Sequence, residues 1–155
     1  MLYALEAPEL GGETAFSNQI LAYQALGPGL TRLVDGLQAL HSAKDLARLY
    51  GQNPDEASEA CHPVARTHEE TGDKALYVCA AFTRHFEDWS RAESKALLGY
   101  LFEHSVRPEF QARHRWRQGD LVMWDNRCLL HYAVHDHGDE PRLLHRLQVQ
   151  GVTPR

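Results

Sequence analysis

The sequence predicts one mainly β domain with flanking helices, and three observations support that prediction. Two apolar runs typical of strands, residues 121–124 and 128–134, lie on either side of a short polar loop. Residues 62–67 and 74–79 form a second strand-like pair around a turn at 70–73. Only one helix is strongly indicated, and it begins with the capping-box sequence of Ser90 to Glu93.

The first part of the chain predicts a strand, a tight turn and two short helices. Residues 1–5 have strand composition, and residues 9–14 form a turn around two glycines, which adopt backbone conformations that other residues avoid. Ser17 or Asn18 is expected to cap a helix that runs to residue 26. Pro28 suits the first turn of a second helix, whose apolar residues recur at helical spacing.

The rest of the sequence predicts, in order, a polar segment, the hairpin, the capped helix and the C-terminal strands. Residues 42–60 are mostly polar and indicate a mobile loop or lid, or equally a simple surface excursion. Residues 82–89 form an aromatic-rich connection, and residues 110–116 alternate as a strand. Residues 142–149 are the last predicted strand, whose alternation places on one face Arg142, Leu144, Arg146 and Gln148.

Composition excludes several classes of protein. A chain of 155 residues with 43% hydrophobic and 24% charged residues is typical of one globular domain, and no apolar run is long enough to cross a membrane. A net charge of −5 argues against nucleic acid as a partner. The odd set of Cys61, Cys79 and Cys128 has no disulfide-framework spacing, so we expect a reducing, cytoplasmic location.

His131 lies inside a predicted strand, where pattern alone favours a packed or surface histidine over a metal ligand. The residues around His131 form a motif that is more specific than the strand pattern alone. Trp124-Asp-Asn-Arg, then His131-Tyr-Ala, then Arg142-x-x-x-Arg146 resembles the C-terminal signature of the taurine dioxygenase-like (TauD/TfdA) family of iron(II)- and 2-oxoglutarate-dependent dioxygenases. Further segments are similar to the family in the same order, so that the resemblance spans nearly the whole chain: Gly11-Gly-Glu-Thr14, Asp35-Gly-Leu, His62-Pro-Val-x-Arg-Thr-His68 and Gly72-x-Lys-Ala-Leu-Tyr77.

The resemblance implies both a fold and a reaction. The fold is a double-stranded β-helix (jelly roll, clavaminate synthase-like), here incomplete at its N-terminus. An incomplete jelly roll exposes strand edges, so a homo-oligomer is expected. The reaction is Fe(II)- and 2-oxoglutarate-dependent hydroxylation of a small anionic organic substrate, either taurine- or sulfonate-like or a carboxylate. The reaction consumes O2 and forms succinate and CO2 as co-products.

The resemblance also implies roles for four residues. His131 corresponds to the second histidine of the two-histidine, one-carboxylate iron site. Thr14 and Arg142 correspond to the residues that bind 2-oxoglutarate, and the planar guanidinium of arginine suits a carboxylate. Arg146 corresponds to the arginine that binds the anionic group of the substrate.

The other two iron ligands of the family are missing from this chain. The family's His-x-Asp pair lies well ahead of the Gly-Gly-acid-Thr turn, and too few residues precede Thr14 to contain it. We therefore expect either that the natural protein extends upstream of Met1 and supplies the pair, or that the chain is a catalytically inactive remnant or anion-binding module of the same fold.

Three local patterns are alternative sources of metal ligands. His68 and Glu70 have the His-x-carboxylate spacing, but they lie in the hairpin segment. Residues 135–137, with two histidines and an aspartate, could join His131, although a solvated loop explains them more simply. Cys128 and His131 are three residues apart on a strand and point to opposite faces, so we discard a zinc pair there.

Overall fold

A computed structural model describes residues 1–151 and 154 of the chain. Within these residues, antiparallel strands form three three-stranded sheets and one two-stranded sheet. The strands are β1 (Leu2–Glu6), β2 (Thr14–Asn18), β3 (Gln38–Ser42), β4 (Glu59–Pro63), β5 (Ala65–Thr67), β6 (Lys74–Leu76), β7 (Thr83–Phe86), β8 (Gln111–His114), β9 (Leu121–Val122), β10 (Leu129–Ala133) and β11 (Leu143–Arg146). The α-helices are α1 (Gln19–Gln24), α2 (Pro28–Asp35), α3 (Lys44–Leu49) and α4 (Arg91–Ser105).

Two of the sheets join the two ends of the chain. The first has the order β11-β1-β9 and the second has the order β10-β2-β8. Each therefore places an N-terminal strand between two C-terminal strands. This arrangement brings the Gly-Gly turn, which follows β1, close to the strands that carry the predicted site residues.

The hydrophobic core lies in the middle of the chain, away from those two sheets. It forms where α1, α2 and α4 pack against the sheet of order β4-β3-β7 and the β5-β6 hairpin. Its largest fully buried members include Phe86 of β7, Leu76 of β6 and Leu101 of α4. In the six strands of the terminal sheets only Ala4, Thr14 and Ser17 are buried, so much of the surface of these sheets is exposed.

Local sequence signals explain where the helices begin. The Asn18 side chain accepts hydrogen bonds from the backbone N–H groups of Ile20 and Leu21, at 3.0 and 3.1 Å, and caps α1. At α4, Ser90 accepts from Glu93 N at 3.2 Å, while the Glu93 carboxylate accepts from Ser90 N at 2.7 Å. The predicted capping box is therefore confirmed.

Three predicted segments differ from the structure. Residues 42–60 are not a structureless loop, because they contain α3, a one-turn 3-10 helix (Pro54–Glu56) and the start of β4. The aromatic-rich connection contains β7, which pairs with β3. His62 belongs to β4 and pairs with Ala39, so that the predicted hairpin consists of β5 and β6 alone.

The helices are short relative to a bilayer. Across residues 1–151 and 154, no helix combines the length and the apolar character needed to cross a membrane.

Candidate functional site

The Gly-Gly turn passes close to two side chains from the C-terminal part of the chain. Gly11 and Gly12 have φ of +74° and +63°. A Cβ on Gly11 would lie 2.6 Å from Oδ1 of Asp136, and one on Gly12 would lie 3.1 Å from Cδ of Arg142. Glycine is required here for both its conformation and its small volume.

Thr14 and Arg142 meet directly behind this turn. The Thr14 side chain is buried, and its hydroxyl accepts hydrogen bonds from Trp116 Nε1 at 2.9 Å and Arg142 Nη2 at 3.2 Å. Two accepted bonds occupy both lone pairs, so the hydroxyl hydrogen of Thr14 remains available to an acceptor. Arg142 Nε donates to Gly12 O at 2.7 Å, and these bonds use only part of the guanidinium's N–H donors. The pair therefore presents hydrogen-bond donors and a positive charge, as a carboxylate requires.

Burial lowers the pKa of Arg142, which is half-buried. Arginine nevertheless stays charged in proteins at neutral pH, because its usual pKa is so high. The guanidinium is thus a cation with part of its hydration removed, a condition that strengthens its attraction for an anion.

His131 lies on the same sheet face as Thr14. In the β10-β2 pair, His131 is opposite Phe16 and Ala133 is opposite Thr14. Residues directly opposite share a face, as do residues two apart on one strand. The His131 and Thr14 side chains therefore both point to the side of the sheet where Arg142 lies.

The surroundings of His131 favour its neutral form. Its ring lies 4.9 Å from the ring of Trp124, which also packs against Phe16 at 5.2 Å. Desolvation lowers the pKa of His131, with smaller effects from Arg146 and the terminal amino group. A neutral imidazole has a lone pair to offer a metal, and His131 is exposed to solvent over part of its surface.

Arg146 and His131 line one cavity of about 240 Å³. The cavity also has an apolar wall, formed by Leu76, Val78, Phe82, Leu129 and Leu130. Arg142 does not line it. The two arginines that the sequence placed on one face therefore act at different points, with Arg142 at Thr14 and Arg146 at this cavity.

A second cavity of about 540 Å³ lies beside the Gly-Gly turn. It is lined by residues 7–10 and 115–118 and contains none of the four predicted site residues. Its size alone does not connect it to the predicted chemistry, so we place the candidate site at Thr14, His131, Arg142 and Arg146.

Among the described residues, no second metal ligand converges on His131. The cluster of three potential ligands found in residues 1–151 and 154 is His68, Asp125 and Cys128. Both carboxylate oxygens of Asp125 accept from Arg127, at 2.6 to 3.0 Å. A cation would have to displace that guanidinium, so this cluster is an ion-paired contact between the hairpin and the β9–β10 loop.

Two of the alternative ligand sources named from the sequence, residues 135–137 and the His68–Glu70 pair, also make hydrogen bonds within the protein. The Asp136 carboxylate accepts from Gly12 N at 2.8 Å, and His137 Nδ1 is 2.8 Å from Glu140 O, so their loop is anchored to the Gly-Gly turn. Glu70 accepts from Arg127 at 3.0 Å. These contacts account for Glu70, Asp136 and His137 without a metal.

Sequence reasoning missed three side chains of the site. Trp116 and Trp124 contact Thr14 and His131, respectively. Gln19, at the start of α1, lines the cavity with Arg146. Trp124 belongs to the sequence signature but had no role assigned to it, and no local pattern marks Trp116 or Gln19 as a site residue.

Comparisons with known proteins give one consistent family. The sequence model described as "Taurine catabolism dioxygenase TauD, TfdA family" matches residues 1–148. An alpha-ketoglutarate-dependent sulfate ester dioxygenase from Pseudomonas putida is 36% identical over 167 residues, covering 99% of this chain and 55% of the relative. An alpha-ketoglutarate-dependent 2,4-dichlorophenoxyacetate dioxygenase from Cupriavidus pinatubonensis is 42% identical over 139 residues, covering 84% and 47%.

Solved structures agree. A taurine dioxygenase from Burkholderia xenovorans superposes with a TM-score of 0.81 at 36% identity, covering 92% of this chain and 49% of that one. AAD-2, solved in complex with Mn(II) and N-oxalylglycine, superposes with a TM-score of 0.88 at 30% identity, covering 99% and 63%. The fold is therefore the jelly roll of these dioxygenases, and the chain spans about half the length of the curated relatives it matches.

Proposed function

Because the chain belongs to the taurine catabolism dioxygenase TauD, TfdA family, we propose that it is the cosubstrate- and substrate-binding part of an Fe(II)- and 2-oxoglutarate-dependent dioxygenase. The reaction hydroxylates a small anionic organic substrate with O2 and forms succinate and CO2. The names of the relatives identify them as alpha-ketoglutarate-dependent dioxygenases that act on sulfate esters and 2,4-dichlorophenoxyacetate.

The Thr14–Arg142 pair is the observation that carries this proposal. A dicarboxylate that chelates a metal through one end leaves its other carboxylate to be neutralised by the protein. Arg142 offers a fixed, partly desolvated cation, and Thr14 offers a hydroxyl whose lone pairs are already occupied. Both groups lie on the sheet face that carries His131. The distal carboxylate of 2-oxoglutarate fits this donor set in charge and in hydrogen-bonding capacity.

His131 is proposed as one iron ligand, held neutral and oriented by its contact with Trp124. The family site needs a second histidine and a carboxylate, and no described residue near His131 provides them. When iron and 2-oxoglutarate are bound, they supply the oxidising chemistry. The residues of this chain bind the cosubstrate, orient it and hold the substrate anion.

Arg146 is proposed to bind the anionic group of the substrate. It lines the same cavity as His131, and its positive charge is one of the causes that lower the pKa of that histidine. Sulfate esters and aryloxy acids, the substrates named for two relatives, both carry an anion. The sulfonate or carboxylate of the substrate would face Arg146, while its organic part would lie along the apolar wall.

Binding of 2-oxoglutarate by the Arg142→Lys variant tests the proposal. Lysine keeps the positive charge but loses the planar fork, so we expect about a tenfold weaker affinity. The indole N–H signal of Trp116 in NMR titrations reports on the site, because that group donates to Thr14.

Arg113→Lys is the matched control for this titration. Arg113 is opposite Ala15 in the β2-β8 pair, so its side chain points to the sheet face away from Thr14. We expect wild-type affinity for the control. Equal affinities for the wild type and the Arg142→Lys variant would contradict the proposed role of Arg142.

A second candidate function is an anion-binding module without turnover, favoured because His131 has no second metal ligand near it among the described residues. Anaerobic titration of the 155-residue chain with iron(II) and 2-oxoglutarate tests whether this chain holds a complete metal site. We expect no charge-transfer absorption band from this chain alone, because one histidine gives iron no defined geometry. A clear band would show that a complete ligand set exists and would exclude the second candidate.

A further inference from the structure

Trp116 is a direct partner of Thr14 to which the proposed function assigns no role. It is 2% exposed, and its indole Nε1 donates to the Thr14 hydroxyl oxygen at 2.9 Å. The same oxygen accepts from Arg142 Nη2 at 3.2 Å. An indole N–H and a guanidinium can only donate, so the direction of both hydrogen bonds is unambiguous. The Thr14 oxygen therefore has no lone pair left for a third donor.

The indole of Trp116 is held in place by its neighbours. The His114 ring packs edge-on against it, with the ring centroids 4.7 Å apart and 84° between the ring planes. His114 is opposite Thr14 in the β2-β8 pair, and its Nε2 lies 3.1 Å from Asp120 Oδ2. The carbonyl oxygen of Asp120 accepts from Ala4 N of β1 at 2.9 Å. Contacts with β8 and β1 thus keep the indole N–H directed at Thr14.

The bond from Trp116 restricts what the Thr14–Arg142 pair can bind. With both lone pairs occupied, the Thr14 hydroxyl can only donate, and the Arg142 guanidinium has donors and no acceptor. A carboxylate offers one oxygen to each of these two donors. An amide in the same position offers one oxygen and places its NH2 group against the other donor. At least one hydrogen bond is then lost, so the pair discriminates against an amide.

We infer that Trp116 determines cosubstrate specificity, because its hydrogen bond makes the Thr14 hydroxyl a permanent donor. This inference rests on the proposed function, in which the distal carboxylate of 2-oxoglutarate lies against Thr14 and Arg142. The site then accepts 2-oxo acids that end in a carboxylate and rejects those that end in an amide. Without the indole N–H, the hydroxyl could rotate and present a lone pair to the amide, so that the rejection becomes weaker.

The test compares two ligands that differ only at the distal end. N-oxalylglycine is an analogue of 2-oxoglutarate that ends in a carboxylate, and N-oxalylglycinamide ends in an amide. The proteins are the wild type, Trp116→Phe and Trp89→Phe. Phenylalanine keeps an aromatic ring at residue 116 but lacks the N–H donor. Trp89→Phe is the matched control, because Trp89 packs against Phe86 of the hydrophobic core, with the ring centroids 5.3 Å apart.

Dissociation constants come from NMR titration, with the backbone amide of Gly12 as the probe because the Gly12 carbonyl accepts from Arg142. All three proteins should prefer N-oxalylglycine, since all retain the charge of Arg142. We expect that preference to be about tenfold smaller in Trp116→Phe than in the wild type and Trp89→Phe. Thr14→Val should reduce it similarly, and adding Trp116→Phe to Thr14→Val should change it no further. Thermal unfolding of each variant checks that it is folded.

Several results would overturn the inference, and the first needs no variant. Equal affinities of the wild type for the two ligands would do so, and the Arg142→Lys titration would then show whether the proposed function stands. An unchanged preference in Trp116→Phe, even if both affinities fall, would assign Trp116 a structural role and leave the proposed function intact. A change that persists in the Thr14→Val background would show that Trp116 does not act through Thr14. If the wild type binds neither ligand, the cosubstrate site fails, and the proposed function fails with it.

Discussion

Gly12 is the residue on which the geometry of the Thr14–Arg142 pair most directly depends. Its carbonyl oxygen accepts from Arg142 Nε, and its backbone N–H donates to Asp136. Its positive φ and its contacts leave no room for a side chain. A single backbone position therefore fixes both the arginine and the loop that follows β10.

Replacement of Gly12 by alanine is predicted to weaken both the fold and the site. The new Cβ would lie 2.8 Å from Pro8 Cγ and 3.1 Å from Arg142 Cδ, in a conformation unfavourable for L-residues. We expect a loss of about 1–3 kcal/mol in the free energy of unfolding. Urea denaturation measures this loss, and 2-oxoglutarate affinity should fall with it.

Gly29→Ala is the control for this substitution. Gly29 lies in α2, and an added Cβ there would meet no atom within 4 Å. Alanine should be neutral or stabilise the helix by about 0.5–1 kcal/mol. Similar effects of the two substitutions would contradict the role assigned to Gly12.

His41 is predicted to make stability dependent on pH. Its ring stacks on Tyr77 at 5.5 Å and lies 5.2 Å from His62. Burial lowers the pKa of His41 from 6.5 to about 4, with further lowering by His62 and Arg84. Between these two pH values the unfolded chain binds more protons than the folded chain does. The stability that depends on neutral His41 is therefore fully present above pH 6.5 and decreases as the pH falls towards 4.

The expected loss across this window is about 2 kcal/mol after allowance for partial solvent screening. In His41→Phe, which keeps an aromatic ring but cannot titrate, the loss should be smaller. His145→Gln, a change at an exposed histidine, should keep the wild-type dependence. Urea denaturation at neutral pH and near pH 4.5 measures the difference, and identical losses in wild type and His41→Phe would exclude His41 as the source.

At the scale of elements, one ion-paired cluster joins the β5-β6 hairpin to the β9–β10 loop. Asp125 accepts from the Arg127 guanidinium, and its Oδ2 lies 3.2 Å from His68 Nε2. Arg127 also donates to Glu69 and Glu70 of the turn between β5 and β6. The cluster holds the hairpin, which includes Leu76 of the cavity wall, against the loop that leads to His131.

Asp125→Asn is predicted to loosen this attachment. The hydrogen bonds of Arg127 and His68 hold the pKa of Asp125 well below its usual range. Because this pKa is lower in the folded chain than in the unfolded chain, the ionised carboxylate stabilises the fold at pH values above its ordinary pKa. This stabilisation is lost as the pH falls through the acid range. At neutral pH we expect the variant to lose about 1–2 kcal/mol, since the carboxylate is partly exposed to solvent.

Two measurements check this prediction. Hydrogen exchange of the hairpin amides should be faster in Asp125→Asn than in the wild type. Acidification should also lower the free energy of unfolding by less in the variant than in the wild type. Asp45→Asn, which removes a carboxylate paired with Arg48 and Arg84 on the surface, should change neither. Unchanged hairpin exchange in Asp125→Asn would show that the hairpin is held by packing alone.

At the scale of the whole molecule, the outer face of the β11-β1-β9 sheet is apolar and uncovered. Tyr3 is opposite both His145 and Leu121, so these residues share that face. Leu121 is 65% exposed, and Met123 beyond it is 74% exposed. Strands β9 and β11 are also the edges of their sheet. Exposed edges and apolar faces favour association, so we expect a second copy of the chain to cover this surface.

Leu121→Lys is predicted to weaken self-association by about tenfold or more, because burial of a leucine contributes about 1.5–3 kcal/mol. Sedimentation equilibrium or light scattering over a concentration series measures the change. The matched control is Leu49→Lys, since Leu49 is 77% exposed on α3, outside this sheet. A wild type that stays monomeric throughout the series would contradict the expectation of a homo-oligomer.

The sequence by itself determined the mainly β character, the starts of α1 and α4, the Gly-Gly turn and the family to which the site residues belong. Each of these follows from signals that a few adjacent residues carry, such as the Ser90 and Glu93 capping box. Alternation along the last strand also predicted that Leu144 and Arg146 share one face. Their pairing with Ala4 and Leu2, which lie two residues apart on β1, confirms this prediction. The segment 82–89 was misjudged because the strand preference of β7 comes from its pairing with β3.

Only the tertiary structure decided which of these residues meet. Thr14 and Arg142 are 128 positions apart, and Trp116 reaches Thr14 across 102 positions. Whether Arg142 joins Thr14 or the Arg146 cavity depends on how the terminal strands pair, which local preference does not specify. The position of the buried Gln19 amide likewise depends on α4, which supplies the Ser105 carbonyl that accepts from its Nε2. Contacts between distant segments depend on the packing of the whole chain, and for that reason no local sequence pattern indicates them.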